Sequence, residues 1–166
     1  MFARWLVTLC VVGGVAGAGT AQAECADPGE PGVDWRRCIL DRQDLRGLDL
    51  AKAKLRDASF NRGFLDKASL AGADAYRAKF LSASLTAARF DGARLVEADF
   101  TKADLSGASL RKADLRRARL FRAILRNADL SGAKLRGADL LNADFTGATW
   151  VDGKRICAEG SIGKCQ

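Results

Sequence analysis

The chain has 166 residues, 27 basic and 20 acidic side chains and no histidine, for a formal net charge of +7. That length suits one domain. The missing histidine removes the commonest general base and the commonest metal ligand, and the cationic balance disfavours a surface built to imitate a polyanion.

Residues 1–23 read as a secretory signal peptide. Arg4 is the one early charge, residues 5–18 are apolar and rich in small side chains, and Ala21-Gln22-Ala23 has the small-x-small form of a signal-peptidase site. The apolar run is short for a membrane span of about 20 residues. Glu24 is not the small residue that a lipoprotein site at Cys25 would need. The mature chain, residues 24–166, then carries 26 basic and 20 acidic residues, a net charge of +6. The expected location is outside the cytoplasm, periplasmic or secreted.

Residues 24–37 contain Pro28, Gly29, Pro31 and Gly32 and read as a loop-rich N-terminal cap, with Trp35 closing the first coil of the repeat region. From residue 38 to residue 152 the chain repeats every five residues. The 23 positions at five-residue steps from Leu40 to Trp150 hold 16 Leu, 5 Phe, Trp150 and the exception Ala75. Two residues before each stands Ala, without a break from Ala53 to Ala148 except at Gly63. The residue between is often Asp, as in Ala103-Asp104-Leu105 and Ala138-Asp139-Leu140.

A period of five suits neither common element. On a helix it would advance each Leu by about 140° and spread the leucines round the whole surface. On a continuous strand it would flip each Leu to the opposite face. The pattern works if each pentapeptide is one side of a closed coil, with Ala and Leu both pointing inward and the next residues turning a corner. Four sides make a coil of twenty residues, and stacked coils lie about 4.8 Å apart. Inward ladders then run Leu40, Phe60, Phe80, Phe100, Leu120, Leu140 and Leu45, Leu65, Leu85, Leu105, Leu125, Phe145, with Trp150 in the last inward slot. Each buried Leu or Phe contributes roughly 1.5–3 kcal/mol. Ala75 should leave a dent, over which Tyr76 would lean.

These residues resemble the pentapeptide-repeat family, whose pattern is Ala-Asp/Asn-Leu-x-x. The resemblance implies an all-β fold: a right-handed quadrilateral β-helix, a solenoid of about six coils between short caps. Family members include DNA mimics that bind type II topoisomerases. That role needs an acidic surface and a cytoplasmic location, and this chain departs from both.

Residues 153–166 leave the repeat and form the C-terminal cap. Four cysteines remain in the mature chain, and they allow three pairings. A rod of about six coils is near 27 Å long, while bridged Cα atoms lie within about 7 Å. The expected bonds are therefore Cys25–Cys38 and Cys157–Cys165, one in each cap. The same distances argue against a zinc site. The reading calls for no metal and no cofactor.

Stacked by twenty, outward charges alternate: Lys54, Asp74, Arg94, Asp114, Lys134; Lys79, Asp99, Arg119, Asp139; Asp57, Arg77, Glu97, Arg117. Opposite charges on adjacent strands contribute roughly 0.2–1 kcal/mol per pair, so these ladders hold register. Side 1, centred on Leu55, Ala75, Leu95, Leu115 and Leu135, carries 8 basic and 4 acidic residues; side 2, centred on Leu40 through Leu140, carries 6 and 3. Side 3, centred on Leu45 through Phe145, carries 3 and 4, and side 4, centred on Leu50 through Trp150, carries 4 and 4. At the corner from side 2 to side 3 one line is basic wherever it is charged: Arg42, Arg62, Lys102 and Arg122. Beside it Leu81, Phe121 and Leu141 should be exposed. This is the candidate binding face, suited to an anionic membrane surface, a polysaccharide or an acidic protein. Solvation is the plainer account of the same charges.

No nucleophile, base and orienting group come together. A Ser–Lys pair, for instance Ser59 with Lys79 one coil on, is what a hydrolase reading would rest on, and ladder packing explains it more simply. The expectation is a non-enzymatic binding or scaffold protein. No nucleic acid partner is expected, and two capped ends argue for a monomer.

Overall fold

The computed structural model describes residues 24–166. Its parallel rungs all join residue i to residue i+20, as in Lys54 with Asp74, Ser59 with Lys79, Phe64 with Ser84 and Ser69 with Arg89. These rungs define a twenty-residue coil with four sides. Each side contributes one ladder residue between two corners, so no side grows into a long strand. The first rung joins Asp34 to Lys54. Residues 33–37 therefore belong to the coil and not to the cap that the sequence assigned them. Trp35 takes an inward slot at 3% exposure and donates its indole N–H to the Asp27 carbonyl at 3.3 Å.

The backbone bonds explain the repeat residue by residue. In the pentapeptide 54–58, Lys54 N–H donates to Val33 O (2.8 Å), Leu55 N–H to Asp74 O (2.8 Å) and Asp57 N–H to Tyr76 O (2.9 Å). Ala58 N–H closes the corner on Leu55 O at 3.1 Å. One donor per pentapeptide, the N–H of the first corner residue, stays without a backbone acceptor, and a backbone donor left unpaired is costly. The Asp two residues earlier takes it: Ser106 N–H reaches Asp104 Oδ1 at 2.9 Å, and Thr101, Ser131 and Thr146 reach Asp99, Asp129 and Asp144 at 2.9, 2.9 and 3.0 Å. Where that slot is not Asp, the coil below can supply the acceptor, as Asp41 does for Asn61 N–H (2.9 Å) and Asn61 Oδ1 for Leu81 N–H (3.1 Å). The repeated aspartates are thus corner caps first and charge ladders second.

The second corner residue is left-handed throughout, and sixteen of these residues are not glycine, among them Lys52 (φ 58), Arg62 (φ 56) and Ala87 (φ 54). An L-residue in that conformation costs roughly 1–2 kcal/mol. The ladder bonds on either side hold it there.

The interior is apolar and regular. Phe60, Phe80 and Phe100 stack face to face at 5.1 and 4.9 Å, and Phe90 meets Phe80 and Phe100 edge-on at 5.9 and 5.8 Å. Leu105, Leu125 and Phe145 are fully buried, while Trp150 is half-buried and set edge-on against Phe145 at 5.3 Å. Ala75 is itself fully buried, and it is followed round the coil by two phenylalanines, Phe80 and Phe90. A small residue beside two large ones offsets their volume, the kind of compensation that cores tolerate. Tyr76 does not lean over a dent. It faces outward among guanidinium groups.

Both expected disulfides are present, Cys25–Cys38 with Cα atoms 5.5 Å apart and Cys157–Cys165 at 4.9 Å. The C-terminal cap pairs antiparallel with side 3 through Asp144 and Ile162, and with side 4 through Thr149 and Ile156. It leaves sides 1 and 2 of the last coil open. Leu135 and Leu140 are only half-buried there, and the N–H groups of Leu135, Gly137, Leu140 and Asn142 have no backbone acceptor among the described residues. The C-terminal cap thus covers half of the rod's end.

The candidate anionic-partner face

Two basic flanks run the length of the rod, and their side chains are arranged differently. On side 1 the alternating ladders close ion pairs at some steps and not at others. Arg94 meets Asp74 at 3.1 Å, Arg77 meets Asp57 at 3.5 Å and Arg117 meets Glu97 at 3.5 Å. On side 2 Arg119 meets Asp99 at 3.4 Å. Short pairs within one pentapeptide add to these: Arg116 grips Asp114 at 2.7 Å and Arg36 grips Asp34 at 2.7 Å. The Arg116 side chain holds the Asp114 carboxyl below its ordinary value despite partial burial, and Arg36 does the same to Asp34. On side 3 the Arg46 side chain brings Asp44 down to about 2. The Tyr76 ring lies under the guanidinium groups of Arg94 (4.8 Å), Arg56 (5.3 Å) and Arg77 (6.0 Å), and its hydroxyl donates to Glu97 at 3.4 Å. Stacking of this kind directs cations onto the rod itself. A groove of about 450 Å³ runs between the Asp57–Arg77–Glu97–Arg117 and Lys79–Asp99–Arg119 ladders. Its lining mixes four basic and three acidic side chains that alternate in sign from coil to coil, so it offers no strongly charged surface to a ligand.

The corner between sides 2 and 3 is the opposite case. Arg42, Arg62, Lys102 and Arg122 are all exposed, and among the described residues none has a carboxylate within 4.0 Å. They share the second corner slot, with φ between 56° and 60°, on a line whose other members, Ser82 and Asn142, are uncharged, so no carboxylate stacks within it. The acids nearby are engaged elsewhere. Asp41 accepts from Ser59 Oγ at 2.5 Å and from Asn61 N–H, and Asp144 is bound by Arg126 at 2.6 Å. From Arg42 to Arg122 the line covers four coil spacings, about 19 Å.

The apolar residues expected there divide. Leu81 (39% exposed) and Leu141 (61%) stand in the open. Phe121 does not: it is half-buried, with the Arg122 guanidinium 5.2 Å over its ring. Three further exposed apolar residues lie beside them on side 3, namely Phe64 (49%), Ile124 (38%) and Ile162 (46%), and Ile39 stands on side 2. The first two have a sequence signal, a bulky apolar residue in the outward slot between the two inward ones, as in Gly63-Phe64-Leu65 and Ala123-Ile124-Leu125. Ile162 lies outside the repeat and carries no such mark.

No set of side chains for covalent chemistry assembles among the described residues. Ser59 Oγ donates to Asp41 and accepts from the Asn61 amide at 2.8 Å, and Ser84 and Ser109 donate to Asp66 and Asp91. Ser59 and Lys79 are neighbours in one ladder, and each of these hydroxyls donates to a carboxylate. Among the described residues no cluster of His, Cys, Asp or Glu fits a metal ion, and no helix is long and apolar enough to cross a membrane.

The family described as Pentapeptide repeats matches in 8 copies, over residues 32–62, 53–90, 78–117 and 113–149. Among solved structures, HetL, a pentapeptide repeat protein involved in heterocyst differentiation regulation from the cyanobacterium Nostoc sp. strain PCC 7120, is 37% identical with a TM-score of 0.54; the match covers 75% of this chain and 64% of HetL. A pentapeptide repeat protein from the Arabidopsis thaliana thylakoid lumen is 24% identical (TM-score 0.45, 78% of this chain, 85% of that one). QnrB1, a plasmid-mediated fluoroquinolone resistance protein, is 20% identical (TM-score 0.44, 74% of this chain, 75% of that one). The search of curated proteins returns no match.

Proposed function

The chain belongs to the pentapeptide-repeat family, with its right-handed quadrilateral β-helix, and from that premise we propose that it is a non-enzymatic, exported binding or scaffold protein whose partner is anionic. The observation that carries this reading is the line of Arg42, Arg62, Lys102 and Arg122, exposed together on one corner with no carboxylate partner among the described residues. Counterions or a ligand must neutralise cations that the protein itself does not, and a row of them on a rigid rod favours an extended anionic surface. Candidate partners are an anionic membrane surface, an acidic polysaccharide or an acidic protein.

Export is supported by the two disulfides, since such bonds persist in oxidising compartments, and by the small-x-small site before Glu24. That segment lies outside the described residues. The regulatory role of HetL belongs to HetL, of which this chain spans 64%. The resistance role of QnrB1 belongs to QnrB1, to which this chain is 20% identical.

The test is binding of the oxidised protein to a soluble polyanion, dextran sulfate, at low and high salt. The triple change Arg62→Ser, Lys102→Ser, Arg122→Ser should abolish salt-sensitive binding and leave the β-type circular dichroism spectrum unchanged. Binding equal to that of the parent would sink the assignment of this face.

A further inference from the structure

The rod's exposed apolar residues are not scattered. Among the described residues seven large hydrophobic side chains are exposed, and six lie on side 2, side 3 or the corner between them: Ile39, Phe64, Leu81, Ile124, Leu141 and Ile162. The seventh, Ile156, is on side 4, and side 1 has none although it carries the largest excess of basic residues. Single exposed leucines are ordinary. A set concentrated on the flank that also holds the line of Arg42, Arg62, Lys102 and Arg122 is not what solvation requires, because solubility would be served better by polar residues in those outward slots.

Resting on the anionic-partner reading above, we infer that the partner is the surface of an anionic lipid bilayer, on which the rod lies lengthwise along its side 2–side 3 corner. A polyanion without apolar groups, such as an acidic polysaccharide, would be held by the cations alone and would gain little from Phe64, Leu81 and Leu141. A bilayer interface uses both: phosphate groups meet Arg42, Arg62, Lys102 and Arg122, while the apolar side chains enter the boundary between headgroups and acyl chains. The geometry suits a flat partner. The cations repeat along one straight corner over about 19 Å. Leu81 and Leu141 occupy the corner slot beside that line, and Phe64 and Ile124 face outward from the adjoining side. The rigid core keeps both sets on one edge, so docking needs no change of fold. The acids on this flank do not cancel the attraction where they are already engaged: Asp44 by Arg46 at 2.5 Å, Asp144 by Arg126, and Asp99 by Arg119.

The experiment is co-sedimentation of the oxidised protein, recovered after secretion and with its N-terminus determined. The probes are vesicles of phosphatidylglycerol mixed with phosphatidylcholine, vesicles of phosphatidylcholine alone, and dextran sulfate. Two variants accompany the parent: the triple cation change above, and Phe64→Ser with Leu81→Ser and Leu141→Ser. The parent should bind the mixed vesicles and not the pure phosphatidylcholine ones. The cation variant should lose both the mixed vesicles and dextran sulfate. The apolar variant should bind mixed vesicles at least tenfold more weakly and dextran sulfate as the parent does. If the triple apolar change perturbs folding, Leu141→Ser alone, at the most exposed of the three, carries the same comparison with a smaller loss. Mixed-vesicle binding by the apolar variant equal to the parent's, or parent binding to dextran sulfate without binding to mixed vesicles, would overturn the lipid inference and leave the anionic-partner reading standing. No binding of the parent to any anionic probe would overturn both.

Discussion

Side 1 and the corner between sides 2 and 3 are both rich in basic residues, yet they differ in what the charge can reach. On side 1 the guanidinium groups of Arg56, Arg77 and Arg94 lie over the Tyr76 ring, and Asp57 and Asp74 sit within 3.1–3.7 Å of them. At the corner, among the described residues, Arg42, Arg62 and Lys102 meet no ring and no carboxylate, and Arg122 covers its neighbour Phe121. Counting charges per side ranks side 1 first. Counting charges without an internal partner ranks the corner first. The cause is what each line stacks. Arg77 and Arg117 occupy a second corner slot too, but their line alternates with Asp57 and Glu97 and pairs with them, whereas the line of Arg42, Arg62, Lys102 and Arg122 holds no acid.

Four changes break or sharpen that contrast. The largest effect belongs to Leu105→Asp, which places a carboxylate in the fully buried centre beneath both flanks. It should cost several kcal/mol, seen as loss of the cooperative urea transition, and it would erase both faces together. Acid comes next. The folded pKa values of Asp34 and Asp114 lie below the ordinary 3.8 because Arg36 and Arg116 hydrogen-bond them. At Asp129 and Asp144 burial pushes upward but is outweighed by bonds from Ser131, and from the Thr146 N–H and Arg126. A lowered folded pKa stabilises above the unfolded value and is lost as pH falls through the folded one. The melting temperature should therefore be flat above about pH 5 and fall steeply below about pH 4. Binding at the corner, which involves no carboxylate of the protein, should not change between pH 7 and pH 5.

Third, Arg94→Ser on side 1 removes the bond to Asp74 and a cation from Tyr76. It should cost about 0.5 kcal/mol by thermal melt, as exposed pairs do, with dextran sulfate binding unchanged. A loss of binding as large as that of the corner triple variant would abolish the distinction between the flanks. The smallest expected change is a gain. Ala87 is left-handed and exposed at the corner between sides 3 and 4, so Ala87→Gly relieves strain and should stabilise by about 0.5 kcal/mol, without effect on binding.

Much of the fold was legible because the repeat has one physical solution. Leu and Ala two apart, every five residues, can face a common interior only on a short-sided coil, and that predicted the i+20 rungs and the two disulfides. The role of Asp was only half legible. Alternating signs suggested ladders, but the orphan N–H that Asp104 or Asp129 accepts becomes visible only when every backbone donor is accounted for. Ala75 and Tyr76 were misread because neighbours in a ladder were weighed and neighbours round a coil were not. Phe121 was placed in the open because its slot is an outward one, and the sequence does not show that Arg122 folds back over it.

The amino-acid sequence by itself determined the period, the coil of twenty, the inward ladders and the cysteine pairing, because each is set by residue spacing along one chain. Tertiary structure alone decided which cations are neutralised, which outward apolar residues stay exposed and which half of the last coil the cap covers. Those outcomes depend on side chains brought within a few ångströms from neighbouring coils and corners. A residue's slot specifies its direction, while its partners are set by what the stacking places beside it.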